Sequence, residues 1–177
     1  MKKSNWIYII MLLLGFLLGY KGFIKYYPNL LYRGAKKKIN RTDNTFGFAK
    51  LPNAESKFVV KPNPDFLYST CFYNLEDGPL HLEGDLPDSS YWSIAFYEPN
   101  TVNFYVKNDQ QFHSNKLDIL IASEGDELPK NAEDFEIVQS PSKKGLILFR
   151  LLITDTSPEN LAKFEAIQQS VQVKPFQ

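Results

Sequence analysis

The sequence predicts a mainly β protein: a β-sandwich or jelly-roll-like domain with one C-terminal helix, preceded by an N-terminal transmembrane helix. Three observations predict this architecture. An uncharged apolar stretch lies near the start of the chain, aromatic residues are abundant (14 Phe, 10 Tyr and 2 Trp), and short apolar runs separated by turn residues fill most of the remainder. Aromatic side chains favour strands, and a chain of 177 residues can bury one core.

The apolar stretch runs from Trp6 to Tyr20, WIYIIMLLLGFLLGY, and contains no charged residue. Extended to Ile24, it reaches nearly across a hydrocarbon core of about 30 Å, because a helix rises about 1.5 Å per residue. A cleaved signal peptide is the alternative, but the following residues, GYKGFIKYYPN, lack the small residues of a cleavage site. We therefore expect an uncleaved signal anchor in the lipid bilayer at residues 6–24, after an N-terminal tail at residues 1–5.

Charge divides the chain into a basic and an acidic part. Nine of the 20 basic residues lie in residues 1–41, which hold no acidic residue, so the rest of the chain has 11 basic against 20 acidic residues. We expect residues 25–45 to form a basic juxtamembrane linker, either solvated or in contact with lipid headgroups. The domain at residues 46–177 does not interleave aromatic with basic residues, so we expect no nucleic-acid partner.

Charge does not decide on which side of the membrane the domain lies. The short tail with two lysines favours a domain outside the cytoplasm, whereas the seven basic residues that follow the uncharged stretch, from Lys21 to Arg41, favour the reverse. The lone Cys71 excludes an intramolecular disulfide, which fits either compartment.

Beyond the linker, turn residues divide the chain into short strands. An apolar run at Lys57–Val60 ends before Pro62 and Pro64, which cannot donate hydrogen bonds within a sheet. In the strand that follows, alternation predicts two different faces. One face holds Tyr68, Thr70, Phe72 and Asn74, and the other holds Leu67, Ser69, Cys71 and Tyr73.

The turn Glu76-Asp77-Gly78-Pro79 then predicts a hairpin between the strand at 67–75 and one at 80–86. Further strands are predicted at 91–97, 102–107, 117–122, 135–138 and 145–153. The triplet Ser157-Pro158-Glu159 predicts the start of the C-terminal helix, since it combines a capping residue, a first-turn proline and an early acid.

Recognised catalytic and metal-binding motifs are missing from the sequence. It has no nucleophile elbow, no phosphate-binding glycine loop and no Cys-x-x-Cys. Neither His81 nor His113 has a second ligand at a recognised metal spacing, and Cys71 lies in an apolar strand, where a free thiol usually only packs. We therefore expect no catalytic residue, no metal and no cofactor, which favours a protein that is not an enzyme.

Polar residues in aromatic surroundings are the remaining candidates for a ligand site. Arg150, within LILFRLLIT, would need an anion if buried, for instance Asp65, whereas on the solvent face it would extend into water. The alternation of side chains along the strand does not show which face is buried, so both interpretations of Arg150 remain open. The ligand-binding candidates are Asn63, Asp65, Tyr68, Ser69, Tyr91, Asn103 and Arg150.

Five segments, NPDFLYS, NLEDGP, LPDSSYWSIAFY, NTVNFY and GLILFRLL, resemble the bacterial domain-of-unknown-function family 1254. The resemblance covers residues 46–173. Asn74 stands where the family usually has Asp and Phe66 where Thr is commoner, which counts against acid-base chemistry on this face. Longer members resemble two β-domains in tandem, the second from the companion family 1214. Short members resemble inner-membrane proteins with a periplasmic domain.

Two functions of different classes follow. The first, which we prefer, is an anchored, non-enzymatic envelope protein that binds a partner protein such as a separate companion-family domain; it follows from the resemblance together with the missing catalytic and metal-binding motifs. The alternative is a small enzyme or small-molecule-binding module whose pocket uses Asp65, Tyr68, Tyr91, Asn103 and Arg150, since convergent polar groups among aromatics are the usual lining of such a site.

Overall fold

The structure is a computed structural model that describes residues 3–39, 42–53, 56, 62–112 and 114–176. The strand predicted at Lys57–Val60 and the histidine at position 113 lie outside these residues. The helices are α1 (Lys3–Ile39) and α2 (Pro158–Ser170), with a short 3-10 helix at Ala132–Asp134. The strands are β1 (Phe46–Phe48), β2 (Phe66–Asn74), β3 (Leu80–Asp85), β4 (Trp92–Tyr97), β5 (Asn103–Asn108), β6 (Lys116–Ser123), β7 (Glu136–Ser140), β8 (Lys144–Leu152) and β9 (Gln172–Pro175).

These strands form two sheets, which confirms the predicted mainly β, sandwich-like fold. The five-stranded sheet has the order β1-β2-β8-β4-β5 and is antiparallel throughout. The four-stranded sheet has the order β7-β6-β3-β9, and its pair β6-β7 is parallel. All seven strands predicted within the described residues are present, with ends that differ by at most two residues.

The core lies between the two sheets. From the five-stranded sheet, Leu67 and Phe149 point into it, and from the four-stranded sheet Leu82 and Ile119 meet them; all four are at most 1% exposed. Burial alternates along β8, so that one face of the strand joins this core and the other does not. The two predicted faces of β2 are confirmed, since the face with Leu67 and Cys71 is the buried one.

The predicted hairpin between β2 and β3 is wrong. β2 pairs with β1 and β8, whereas β3 pairs with β6 and β9 in the other sheet. The turn at Glu76–Pro79 therefore carries the chain from one sheet across to the other. Both strands still bury one face in the same core, so their alternation does not reveal the change of sheet.

The C-terminal helix closes the sandwich at one side. α2 begins at Pro158, as predicted, and packs on both β2 and β3, so that it joins the two sheets. Its buried Gln168 donates two hydrogen bonds from Nε2, to the carbonyl oxygen of Ala49 at 3.1 Å and to that of Tyr68 at 3.0 Å. The chain then adds β9 to the edge of the four-stranded sheet.

The outer side of the four-stranded sheet is covered in part by the connection between β6 and β7. A parallel pair such as β6-β7 requires a crossover, and residues 124–135 supply it. Leu120 and Ala132 are buried outside the central core, as expected where this connection crosses the sheet. Phe135 and Phe176 pack edge-on against His81, with ring centroids 5.1 and 6.4 Å away.

The N-terminal helix is long and apolar enough to cross a membrane. α1 does not stop at Ile24 but continues to Ile39, through most of the region predicted as a linker. We call its later part, residues 25–39, the stalk. In the stalk, the hydroxyl of Tyr32 donates a 3.0 Å hydrogen bond to the carbonyl of Gly145, and its ring packs edge-on against Phe72.

Candidate functional site

The outer face of the five-stranded sheet is the surface on which the predicted site residues meet. It is defined here by Phe66, Tyr68, Thr70, Phe72, Ser93, Ala95, Val106, Leu146, Leu148, Arg150 and Leu152, which share this side of the sheet by their cross-strand register. A sheet face that lies in water usually carries polar residues in alternation with the buried ones. This outer face is instead mostly apolar.

Strand β8 shows this most clearly. Its inward residues are fully buried, while Leu146, Leu148 and Leu152 on the outer face are half-buried. Val106 on β5 is 52% exposed. At one end of the face Tyr32 covers Phe72, but no α1 side chain from Trp6 to Ile39 is fully buried. Continuous apolar strands are typical of sheets that are covered on both sides.

Arg150 is the charged residue in the middle of the outer face, whereas Lys144 lies at the far end of β8 on the same side and pairs with Glu76 at 2.9 Å. Its Nε donates a 3.0 Å hydrogen bond to Ser93 Oγ, and its guanidinium carbon lies 5.8 Å from the centre of the Phe66 ring. Within the described residues no carboxylate forms an ion pair with it, so the predicted pairing with Asp65 is not formed. Arg150 lies on the outer face of the sheet and not in the core, which agrees with the other prediction, and it is half-buried there.

Two predicted candidates accompany Arg150. Tyr68 is its cross-strand neighbour on β2, and Tyr91 packs edge-on against Phe66 with the ring centroids 6.0 Å apart. The Tyr68 hydroxyl accepts a 3.1 Å hydrogen bond from the backbone N–H of Asn63. The structure thus brings Tyr68, Tyr91 and Arg150 together around Phe66.

Asn63 and Asp65 shape the corner that precedes β2. The side-chain oxygen of Asn63 accepts a 3.0 Å hydrogen bond from the backbone N–H of Asp65, a typical local turn. The carbonyl of Asp65 accepts a 2.8 Å hydrogen bond from the N–H of Ile153. Both residues are exposed, and the hydrogen bonds described here stabilise the local backbone and do not form a ligand site.

Ser69 and Asn103 lie away from this cluster. Ser69 points into the core, where its hydroxyl has no hydrogen-bond partner among the described residues. Asn103 pairs with Tyr97, four residues along β4 from Ser93, which is about 13 Å at about 3.3 Å per residue. Its Nδ2 donates to the carbonyls of Phe96 and Tyr105 and so supports the irregular pairing at this point.

A second polar cluster on the four-stranded sheet was not predicted. His81 Nε2 lies 2.6 Å from Asp118 Oδ1, and its Nδ1 lies 3.6 Å from Glu83 Oε2. Hydrogen bonds from Lys174, and to a lesser extent from Gln172, hold the pKa of Glu83 below its usual range. Sequence spacing could not reveal the cluster, because Glu83 and Asp118 meet only through the β3-β6 register.

Two cavities of about 480 and 460 Å³ flank His81. Across the described part of the chain, no group of three or more His, Cys, Asp and Glu residues is arranged to hold a metal ion. The Nε2 of His81 is hydrogen-bonded to the Asp118 carboxylate, while Nδ1 lies 3.6 Å from Glu83, beyond hydrogen-bond distance.

Cys71, the one thiol of the chain, is also unsuited to catalysis. It is fully buried in β2, and this burial raises the pKa of its thiol to about 12. At neutral pH the thiol is therefore almost entirely protonated, whereas the thiolate is the form that attacks.

The comparisons place this domain among proteins whose activity is not known. The family model described as "Protein of unknown function (DUF1254)" matches residues 44–175. No curated protein matches the sequence. The crystal structure of the VPA0106 protein from Vibrio parahaemolyticus is similar over 85% of this chain and 35% of its own, with 13% identity and a TM-score of 0.63.

An uncharacterised protein from Burkholderia cenocepacia is similar over 88% of this chain and 41% of its own, with 16% identity and a TM-score of 0.52. This chain thus spans between about a third and two fifths of these two solved proteins. At such identities the likeness shows the fold alone. The family match, in contrast, covers nearly the whole domain, and we conclude that the chain belongs to the DUF1254 family.

Proposed function

We propose that this protein is a non-enzymatic envelope protein whose domain binds a partner protein through the outer face of the five-stranded sheet. Helix α1 anchors it in the bacterial inner membrane, and the domain lies in the periplasm. The partner is a second β-rich domain on a separate chain, of the companion-family type. A single observation carries the proposal: the outer face of β8 presents three leucines, Leu146, Leu148 and Leu152, which the described chain leaves half-buried.

The contrast between the two sheets supports this function. On the outer side of the four-stranded sheet, the apolar Leu120 is fully buried, and Phe135 of the β6–β7 connection packs against His81. The outer face of the five-stranded sheet has Tyr32 at one end and leaves Leu148 and Leu152 half-buried. Apolar patches that remain accessible on a folded domain usually mark sites of interaction.

The length of the solved relatives also supports a partner. In both, the region similar to this chain is less than half of the protein, so the same fold occurs there together with further chain. A domain that has additional structure beside it in one protein can meet the equivalent structure as a separate partner in another. This reasoning uses the fold alone and transfers no activity.

Binding to a small molecule is supported less well. It would use Tyr68, Tyr91 and Arg150 together with Asp65 and Asn103. The side chain of Asp65 does not pair with Arg150, and Asn103 lies at the far end of β4 from Ser93. Three of the five proposed residues therefore remain as a cluster, and that cluster lies on an apolar sheet face.

Capture of the full-length protein from gently solubilised membranes tests partner binding. We expect stoichiometric recovery of one β-rich envelope protein with the wild type and a loss of at least about tenfold with Val106→Glu, because a buried unpaired carboxylate is costly. Leu128→Glu is the matched control, since Leu128 is also an exposed apolar residue, at 38%, but lies outside this face. A wild-type protein that elutes alone and monodisperse would contradict the proposal.

A reporter fused after Gln177 tests the location of the domain. We expect activity from a reporter that works only in the periplasm and none from one that works only in the cytoplasm. The opposite pattern would show that the seven basic residues from Lys21 to Arg41, and not the two in the tail, determine the orientation.

A further inference from the structure

We infer that Arg150 is the specificity-determining contact of this interface and binds a carboxylate that the partner protein presents among apolar side chains. This inference rests on the proposed function, because it names the chemistry of the partner at the outer face. It concerns one charge in the middle of an apolar surface.

The hydrogen bonds of Arg150 are incomplete. A guanidinium has five N–H groups, and the structure uses the one on Nε, which donates to Ser93 Oγ at 3.0 Å. No other acceptor for this side chain exists within the described ranges. Water can serve these groups while the face is open, but a docked partner would remove that water. An arginine that is covered without an anion is strongly unfavourable, so a partner that covers this face must supply one.

The position of the guanidinium is fixed before any partner arrives. Ser93 is 2% exposed and holds the Nε edge, and Phe66 packs against the guanidinium from β2. With Nε occupied, the terminal nitrogens are the part of the fork that remains open. Two parallel N–H groups in one plane match the two oxygens of a carboxylate, and this geometry favours arginine over lysine.

The surroundings favour a protein carboxylate over a phosphate-rich ligand. Sites for polyanions gather several cations, whereas the other cation on this side of β8, Lys144, lies six residues from Arg150 and is paired with Glu76. Its neighbours on the same face include Leu148, Leu152 and Tyr68, which offer apolar contact to a partner. Beyond residue 41 the chain has 11 basic against 20 acidic residues, so a strongly acidic partner would be repelled. A partner with one acidic side chain in a largely apolar patch would pair with Arg150 without being repelled by the acidic domain.

Site-specific crosslinking in cells tests the inference on the full-length, membrane-anchored chain. A photoreactive phenylalanine analogue replaces Val106, which is exposed on the outer face, and the yield of the crosslinked partner is compared between variants. We expect Arg150→Gln to lower the yield at least about tenfold and Arg150→Lys to lower it less, since lysine keeps the charge but loses the fork. Lys163→Gln on the exposed side of α2 removes a charge elsewhere and should leave the yield unchanged.

The outcomes separate this inference from the proposed function. If the wild type crosslinks a protein and Arg150→Gln crosslinks it equally well, the carboxylate contact is overturned and partner binding stands. If the wild type crosslinks no protein, partner binding fails and the inference fails with it. Protection of Cys71 from thiol reagents shows that each variant is folded. If Arg150→Gln loses that protection, the crosslinking yield of a folded Arg150→Lys variant is compared with that of the wild type instead. An unchanged yield in Arg150→Lys would then overturn the inference.

Discussion

At the scale of single residues, Gly145 connects the core to the stalk. A Cβ atom at this position would collide with the Tyr73 ring and with the carbonyl oxygen of Tyr97. The carbonyl of Gly145 itself accepts the hydrogen bond from Tyr32. The neighbouring Tyr73 hydroxyl lies 2.7 Å from Ser140 Oγ, so the tyrosine ring cannot easily move aside.

We predict that Gly145→Ala lowers the free energy of unfolding by about 1–3 kcal/mol, since the added methyl group forces the core to shift. Denaturant unfolding of the full-length protein in detergent measures this. Gly34→Ala is the control, because a Cβ at Gly34 meets nothing within 4 Å, and the unfolding of the domain should not change. Equal stability of the two variants would show that the core accommodates the methyl group.

Cys71 gives a second prediction at this scale. With its pKa raised to about 12 by burial, only about one thiol in 10,000 is ionised at pH 8. We expect an aromatic disulfide reagent to leave the folded protein unlabelled and to label it fully in concentrated guanidinium chloride. Rapid labelling of the folded protein would mean that β2 opens readily.

The sequence predicted the faces of residues better than their partners. Alternation placed Leu67 and Cys71 opposite Tyr68, and the structure confirms this. It could not identify Ser93 as the partner of Arg150, because that contact depends on the register between β4 and β8, which are separated by about 50 positions in the chain.

At the scale of elements, local signals predicted strands but not sheets. The run of turn residues at Glu76–Pro79 looks the same whether the next strand pairs with β2 or crosses to the opposite sheet. β1 and β9 were not predicted, because with three and four residues they are too short to show a period. Both lie at sheet edges near α2, and the tertiary contacts of that helix help to hold the sandwich together.

Gln168 on α2 allows this role to be measured. We predict that Gln168→Leu lowers the free energy of unfolding by about 1–3 kcal/mol, since the carbonyls of Ala49 and Tyr68 lose a shared donor inside the protein. The neighbouring Gln169→Leu is the matched control, because Gln169 is exposed and its replacement should have little effect. A similar loss in both variants would show that the effect comes from helix propensity and not from the carbonyls.

At the scale of the whole molecule, buried tyrosines couple stability to pH. Burial raises the pKa of Tyr73 to about 12, and burial together with nearby Glu136 raises that of Tyr105. In the unfolded chain tyrosine ionises near pH 10. Between about pH 10 and 12 the unfolded state therefore loses protons that the folded state keeps, so their contribution to stability is complete below about pH 10 and is lost as the pH rises.

We predict that the free energy of unfolding falls steeply between about pH 10 and 12. Each tyrosine that stays protonated contributes up to about 1.4 kcal/mol per pH unit to this slope. Tyr73→Phe should reduce the slope, while Tyr91→Phe, which alters a tyrosine outside the core, should keep it. The free energy of unfolding at pH 9 and pH 11 gives the slope for each variant. An unchanged slope in Tyr73→Phe would contradict the contribution of Tyr73 to the loss of stability.

The sequence predicted the apolar N-terminal helix and the acidic domain but not how they meet. Hydropathy ends the span near Ile24, and nothing local indicates that the helix continues to Ile39 or that Tyr32 contacts Gly145. The contact joins residues 113 positions apart, and sequence periodicity carries no information at that distance.

The Tyr32 contact joins the stalk directly to the domain. A helix of 37 residues is about 55 Å long, so in the proposed anchoring about 30 Å of it would lie in hydrocarbon and roughly 25 Å would extend towards the domain. The Tyr32 contact would then limit how far the domain can tilt relative to the membrane. A partner that is itself confined to the same membrane would search for it in two dimensions, and its effective concentration would exceed that of the same partner free in solution.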